Sequence, residues 1–469
     1  MIQKIETEAS GLSVPLSQTA LGFDAAYVSA TAAQLSVKPE PWLRSHRAEV
    51  ILYLSIFACV MEGALRKWVF QSEPIFRYLA YFSKDILFGL LVITTWPRAS
   101  ISGSNSLKTF LTFGILLAAG GSLLSSFTEI NWVGAVLSAR SLFLLPLLAY
   151  LALSRLGGIK LEGVALVIGA LTVANALLGI KQYYSSPDAF INHYATDAFE
   201  GADMFQGNVR AAGTFSYITG YANMATVGAW AGLSLLCLAA GRTKYVLAGW
   251  AVYLAALLCA LVSISRAAVL IVMASFVVFV LSGRHGLVNL LKAGAALTLI
   301  FLIGYSSNLG SKVTDLSDKV LARHELAGDT FGERTMDPIT EIGAAFETAP
   351  IGGGFGTEQV GGVYAETGLM KFRHFENQFP RIIIETGILG LAGFFVTCIG
   401  ALATLFYARN NCLTEGLRRV CVLSMFLIGS LFFLNVVFNH TASFFAWSIF
   451  AVTIAATSAR SEAVMAPHG

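Results

Sequence analysis

Long apolar runs follow one another along this chain, each close to the roughly 20 residues a helix needs to cross the hydrocarbon of a bilayer. They predict spans near 49–69, 79–96, 108–126, 133–153, 161–180, 218–240, 243–263, 267–283, 287–305, 380–407, 418–438 and 441–458, about twelve in all. Backbone in lipid must satisfy its own hydrogen bonds, and runs of this length do so as helices. The expected fold is therefore an all-α polytopic membrane protein. A hydrophobic content of 56% in 469 residues, with a mean hydropathy of +0.69, exceeds what a soluble core of that length buries. In the first span the apolar part, Val50 to Val60, is short and is followed by Glu62-Gly-Ala-Leu-Arg-Lys-Trp68. A re-entrant or interfacial end is an alternative there.

Polar residues concentrate elsewhere. Between Ser306 and Phe379 lie 17 charged residues, in a chain that is only 13% charged. Within this interval Val313, Leu316, Val320 and Leu321 recur at helical spacing, as do Ile339, Ile342 and Phe346. Asp337-Pro338 supplies a cap and a first-turn proline, and Ala349-Pro350-Ile-Gly-Gly-Gly354 a stop. The interval is thus expected to be a large, partly helical loop. Residues 1–47, rich in Ser, Thr and Ala and without the basic start and apolar core of a signal peptide, read as a disordered tail. Residues 459–469 read as a second tail.

Composition also excludes some roles. The net charge of +3 arises from basic residues set singly or in pairs between apolar runs, which gives no nucleic-acid footprint. Six cysteines with no Cys-x-x-Cys pair indicate neither a disulfide framework nor a zinc site. With a cytoplasmic N-terminus, the inside connections hold Arg98, Lys108, Arg155, Lys160, Arg242, Lys244, Arg284, Arg409, Arg418 and Arg419, as the positive-inside rule requires. Arg66, Lys67 and Arg77 are exceptions. The same threading places the loops near 181–217 and 306–379 on the outer side. It divides the chain into spans 1–9 over 48–305, the large loop, and spans 10–12 over 380–458.

Charged residues inside spans are costly and so are functional candidates. Arg140 lies mid-span, Lys84 and Asp85 are adjacent, and Arg266 opens the eighth span. The plainer readings are pairing between helices for Lys84 and Asp85, bonds to backbone carbonyls for Arg140, and a snorkelling end residue for Arg266. Arg210, Arg266 and Arg334 sit where a guanidinium meets a phosphate in bidentate fashion within the headgroup zone, with lipid anchoring as the alternative. Before the tenth span, Arg373-His374-Phe375-Glu376-Asn377 joins an imidazole to a carboxylate. Glu376-Asn377 also reads as a loop-end cap, and Glu385 as an i,i+4 partner of Arg381.

Taken in order, Arg210-x-x-Gly213-x-Phe215, Ser265-Arg266-Ala267, Arg334, Pro350-Ile-Gly-Gly-Gly and Glu376-Asn377 followed by Glu385-Thr-Gly387 resemble the bacterial O-antigen ligase and polymerase superfamily. Glu62-Gly-Ala-Leu-Arg-Lys-Trp68 with Lys84-Asp85 is similar to an exopolysaccharide branch of it. The resemblance implies an inner-membrane glycosyltransferase with about twelve spans and one large periplasmic loop. Its donor is implied to be an undecaprenyl-pyrophosphate-linked glycan, and its acceptor a growing glycan or lipid A core. On this resemblance Arg210, Arg266 and Arg334 bind the donor pyrophosphate, with Arg140, Asn377 and Glu385 in support. Relatives place His-Asn before the Glu-x-Gly, whereas here Glu376 stands at the histidine position and His374 two residues upstream. The acceptor-side role is therefore expected at Glu376 in preference to His374.

The outer loops contain no Asp-x-Asp motif, so neither a metal nor a cofactor enters the expected mechanism. A polymerase is preferred to a ligase because of the exopolysaccharide-like N-terminal stretch. A twelve-span transporter or lipid-linked oligosaccharide flippase is the rival from another class, since it too would carry charges inside spans.

Overall fold

The computed structural model describes residues 47–71, 73–95, 105–153, 159–193, 204–283, 318–319, 322, 340–357, 378–434 and 439–465. All of these but Arg47 belong to one compact unit, Ala48–Gly469. Its helices are α1 (Arg47–Ala64), α2 (Pro74–Thr95), α3 (Asn105–Ser126), α4 (Trp132–Ala139), α5 (Leu145–Leu153), α6 (Leu161–Tyr183), α7 (Ile218–Leu238), α8 (Thr243–Val262), α9 (Arg266–Leu281), α10 (Gln378–Asn410), α11 (Glu415–Leu434) and α12 (His440–Met465). A short hairpin pairs β1 (Met204–Phe205) with β2 (Asn208–Val209).

Among the described residues, nine stretches are helical, long enough and apolar enough to cross a membrane. α4 and α5 form one of them, joined by a π-helical turn over Arg140–Leu144. α2 is 22 residues long and carries Arg77, Lys84 and Asp85; α9, at 16 residues, is shorter. The expected span at 287–305 lies outside the described residues. The first span runs unbroken from Arg47 to Val69, ending in a π turn over Leu65–Val69 in place of a re-entrant loop. A helix over 340–348 stops at Ala349-Pro350, as its sequence predicts.

α7 and α12 are the most enclosed helices, and α7 packs against α6, α8, α9, α11 and α12. Lipid provides no hydrophobic drive between helices, so close approach and polar bonds must hold them together. Trp230 of α7 donates to Ser424 of α11 at 2.9 Å, and Ser424 lies 2.9 Å from Thr453 of α12. α3 and α10 touch backbone to backbone. A Cβ at Gly121 would lie 2.4 Å from the Gly390 amide nitrogen, and one at Gly393 would lie 2.3 Å from that of Ala118.

α10 is not continuous. Gly387 has φ 67° and ψ −171°, which interrupts the helical ladder. The interruption is mended by the Pro350–Gly353 segment: the Ile388 amide donates to the Pro350 carbonyl at 3.0 Å, and the Gly353 amide donates to the Ile384 carbonyl at 2.7 Å. The same segment continues into a single parallel bridge between Phe355 and Ile130. Two glycine-rich motifs distant in sequence are thus one joint.

The ends of the unit differ. At one end the 210–217 segment, the turn before α9, the α1 π turn and the start of α12 come together. At the other, Arg242 pairs with Glu162 at 3.8 Å, and Arg419 donates to Ser282 and to the Phe279 carbonyl at 3.2 and 2.7 Å.

Candidate active site

The first of these ends carries a buried ionic cluster. Tyr81, Lys84 and Asp85 occupy one face of α2, because residues three and four apart are neighbours on a helix. Glu62 and Arg66 repeat that spacing on α1 and its π turn. Lys84, fully buried, donates to the Glu62 carboxylate and to the Tyr81 carbonyl, the latter at 2.6 Å. The other Glu62 oxygen, Oε1, lies 2.6 Å from Nε2 of His440, the first residue of α12. Arg140 pairs with Asp85 at 3.3 Å and donates to the Tyr81 hydroxyl at 3.0 Å. The Tyr81 ring lies 4.5, 5.3 and 5.1 Å from the cationic groups of Lys84, Arg66 and Arg140. His440 packs edge-on against it at 4.8 Å.

Local backbone explains how one helix can aim these groups inward. The two π turns, Leu65–Val69 and Arg140–Leu144, carry Arg66, Lys67 and Arg140. A π turn widens the helix by one residue and re-aims its side chains. Pro146 favours the second, since it has no amide to donate to the Leu142 carbonyl and its ring crowds that position. Charges so deep in a span are tolerated because they are paired. Among the described residues, Asp85 Oδ1 and Arg140 Nε keep unused hydrogen-bonding capacity.

Below the cluster runs the 211–217 segment, which is irregular but buried. Such backbone persists at membrane depth only when protein groups satisfy it. The Gly213 amide donates to Gln182 at 2.7 Å and the Thr214 amide to Asn175 at 2.9 Å. The Gly213 carbonyl accepts from the buried Lys67 at 2.7 Å, while Ser216 accepts from Arg66 at 3.1 Å. Gly63 of α1 makes room for it, since a Cβ there would lie 2.3 Å from the Ser216 nitrogen. Of the cations expected at the donor, Arg210 and Arg266 are both half-buried. Arg210 donates to the Ser263 carbonyl at 3.3 Å, and the neighbouring Ala211 amide to that of Val262 at 3.1 Å. This sets Arg210 against the tight turn, with Ile264 at φ 50°, that leads into Arg266. Lys319 reaches the same hairpin, donating to Asn208 at 2.6 Å.

Arg140 and Glu385, both expected in support, approach through α4: Ser138, two residues before Arg140, donates to the buried Glu385 carboxylate. Lys84 and Asp85 pair with α1 and Arg140, in keeping with the pairing between helices; Arg140 meets a carboxylate and a phenol in place of the expected backbone carbonyls. Arg334, His374, Glu376 and Asn377 lie outside the described residues. Sequence pattern alone does not single out His440, Tyr81 or Lys319. A signal for His440 exists nonetheless, as Asn439-His440-Thr441 is a polar opening to an otherwise apolar run. Among the described residues no group of three or more His, Cys, Asp and Glu side chains could hold a metal ion.

Fold and cluster together describe a multi-pass membrane protein with paired charges gathered at one end of its helices. No family model matches the chain. It is similar to a protein of Salmonella muenchen named O-antigen polymerase, 26% identical over 274 residues that cover 56% of this chain and 64% of that protein. The chain thus matches less than two thirds of that relative's length.

Proposed function

We propose that the chain is a glycan polymerase of the bacterial inner membrane, a metal-independent glycosyltransferase of the O-antigen polymerase and ligase type. It transfers undecaprenyl-pyrophosphate-linked oligosaccharide repeats to a growing surface or exopolysaccharide chain. The observation that carries this reading is the likeness to the Salmonella muenchen protein. The placing of Arg210 against the turn that leads into Arg266 supports its donor side.

In the reaction the acceptor hydroxyl oxygen attacks the anomeric carbon, the bond from that carbon to the phosphate oxygen breaks, and the lipid diphosphate leaves with the electron pair. The hydroxyl proton passes to a base. Arg210 and Arg266 are proposed to take up the charge of the leaving diphosphate, with Arg334 as a third cation. Activity is accordingly expected to persist in excess chelator.

Orientation follows from charge. The end with Arg242, Lys244, Arg409, Arg418 and Arg419 is assigned to the cytoplasm and the end with the ionic cluster to the periplasm. Cysteines introduced at Ser311 or Gly361 should react with an impermeant thiol reagent in intact spheroplasts. Reaction only after permeabilisation would reverse the assignment.

A deletion strain tests the function. The expected phenotype is loss of long chains with single repeats retained. Lipid-linked polymer beside bare lipid A core would indicate a ligase, and intermediates trapped on the cytoplasmic face a flippase. Complementation with Arg266→Lys is expected to leave chain length strongly impaired, because lysine keeps the charge and loses the bidentate fork. Full-length glycan from that variant at normal protein level would reduce Arg266 to a lipid anchor.

A further inference from the structure

The ionic cluster contains one proton acceptor that is less buried than its partners. His440 has a side chain 23% exposed, whereas those of Glu62 and Lys84 are 2% and 0% exposed. Its Nε2 faces Glu62 Oε1 at 2.6 Å. That carboxylate is itself fixed through its other oxygen by Lys84, which the Tyr81 carbonyl anchors. A carboxylate accepts and does not donate, so Nε2 carries the hydrogen and Nδ1 the lone pair. Nδ1 has no hydrogen-bond partner among the described residues. A base held in one tautomer by a buried carboxylate, with its other nitrogen unbonded, is the arrangement that accepts a proton from a hydroxyl.

We infer that His440 is the base that accepts the proton of the acceptor hydroxyl, with Glu62 as its positioning residue. The inference rests on the glycosyl-transfer reading above and departs from the expectation that Glu376 takes this role. As the acceptor oxygen bonds to the anomeric carbon and the diphosphate leaves, the proton moves to His440 Nδ1 and then to water. The donor side is near at hand. Arg66, which shares the Tyr81 ring with His440, bonds Ser216 six residues beyond Arg210. The groups that bear on the imidazole are Glu62 from α1, Tyr81 and Lys84 from α2, and Arg140 from the π turn after α4; Asp85 pairs with Lys84 and Arg140 behind them.

The test uses the full-length protein in lipid vesicles, with the undecaprenyl-diphosphate-linked oligosaccharide that accumulates in the deletion strain as substrate. His440→Gln keeps a donor for Glu62 and removes the base. Its kcat is expected to fall about 100-fold or more, with the donor KM changed by less than about threefold. Imidazole added to His440→Ala should restore part of the turnover, a result that a purely structural histidine does not give. Turnover of His440→Gln within about threefold of wild type overturns the inference and returns the proton to the outer loop. A fall confined to KM, or His440→Ala that is folded but unmoved by imidazole, overturns it as well. Wild-type protein that extends no chain overturns the glycosyl-transfer reading itself, whatever the His440 variants do.

Discussion

Glu62→Leu is expected to cost about 3–5 kcal/mol of stability, because it leaves the ammonium of Lys84 without its counter-ion in a place closed to water. Lys84 is fully buried, and its remaining carboxylate neighbour, Asp85, is 3.9 Å away and already engaged with Arg140. The same physics predicts recovery. Replacing both members of a buried pair by apolar groups of similar size is often neutral, so Glu62→Leu with Lys84→Met should regain most of the loss. Thermal unfolding in detergent measures the three states. Activity should not return with stability, since the double variant also removes the carboxylate that positions His440. A double variant as unstable as the single one would mean that Glu62 is held by something other than its bond to Lys84.

Gly63→Ala is expected to be nearly as damaging, although it adds a single methyl. Its Cβ would meet the Ser216 nitrogen at 2.3 Å and the Thr214 carbonyl oxygen at 2.4 Å, both backbone atoms. Neither can yield alone. Thr214 is tied through its amide to Asn175 and through its hydroxyl to the Val60 carbonyl at 2.7 Å, so retreat of the segment breaks bonds on two sides. Overpacking costs about 1–3 kcal/mol and each broken buried bond about 1 kcal/mol more. The checks are the amount of protein in the membrane fraction and its unfolding temperature. Wild-type values for Gly63→Ala would mean that α1 and the 213–216 segment do not touch as described. The neighbouring small residue Ala64 gives no such expectation, as it already carries a Cβ.

Hydropathy made most of the architecture legible. α3, α6, α7, α8, α11 and α12 fall close to the runs that predict them, because length and apolarity alone decide whether a helix crosses lipid. The charges were legible as charges, and Lys84 and Asp85 as a pair needing partners, but the partners were not. Glu62 and His440 are 378 residues apart in sequence, and nothing local brings them together. The π turns were hidden for a related reason. Leu65–Val69 has an ordinary helical composition, and Pro146 after Arg140–Leu144 marks a disturbed helix without saying of which kind, so only the bonding of a widened turn reveals them. Glu385-Thr386-Gly387 reads as part of one continuous span over 380–407. The interruption at Gly387 is tolerated because amide and carbonyl groups at Pro350 and Gly353 meet it, and a local pattern does not contain them.

That borrowed ladder couples two parts of the molecule mechanically. The Pro350–Gly353 segment cannot lift away without unpairing the carbonyl of the buried Ile384 and the amide of Ile388. The segment and the Gln378–Thr386 stub therefore share their backbone hydrogen bonding across the break at Gly387. The stub carries Glu385, Glu385 holds Ser138, and Ser138 stands two residues from Arg140. The glycine-rich segment is thereby joined, through Ile384, Glu385 and Ser138, to the stretch of chain that holds the guanidinium facing Asp85 and Tyr81.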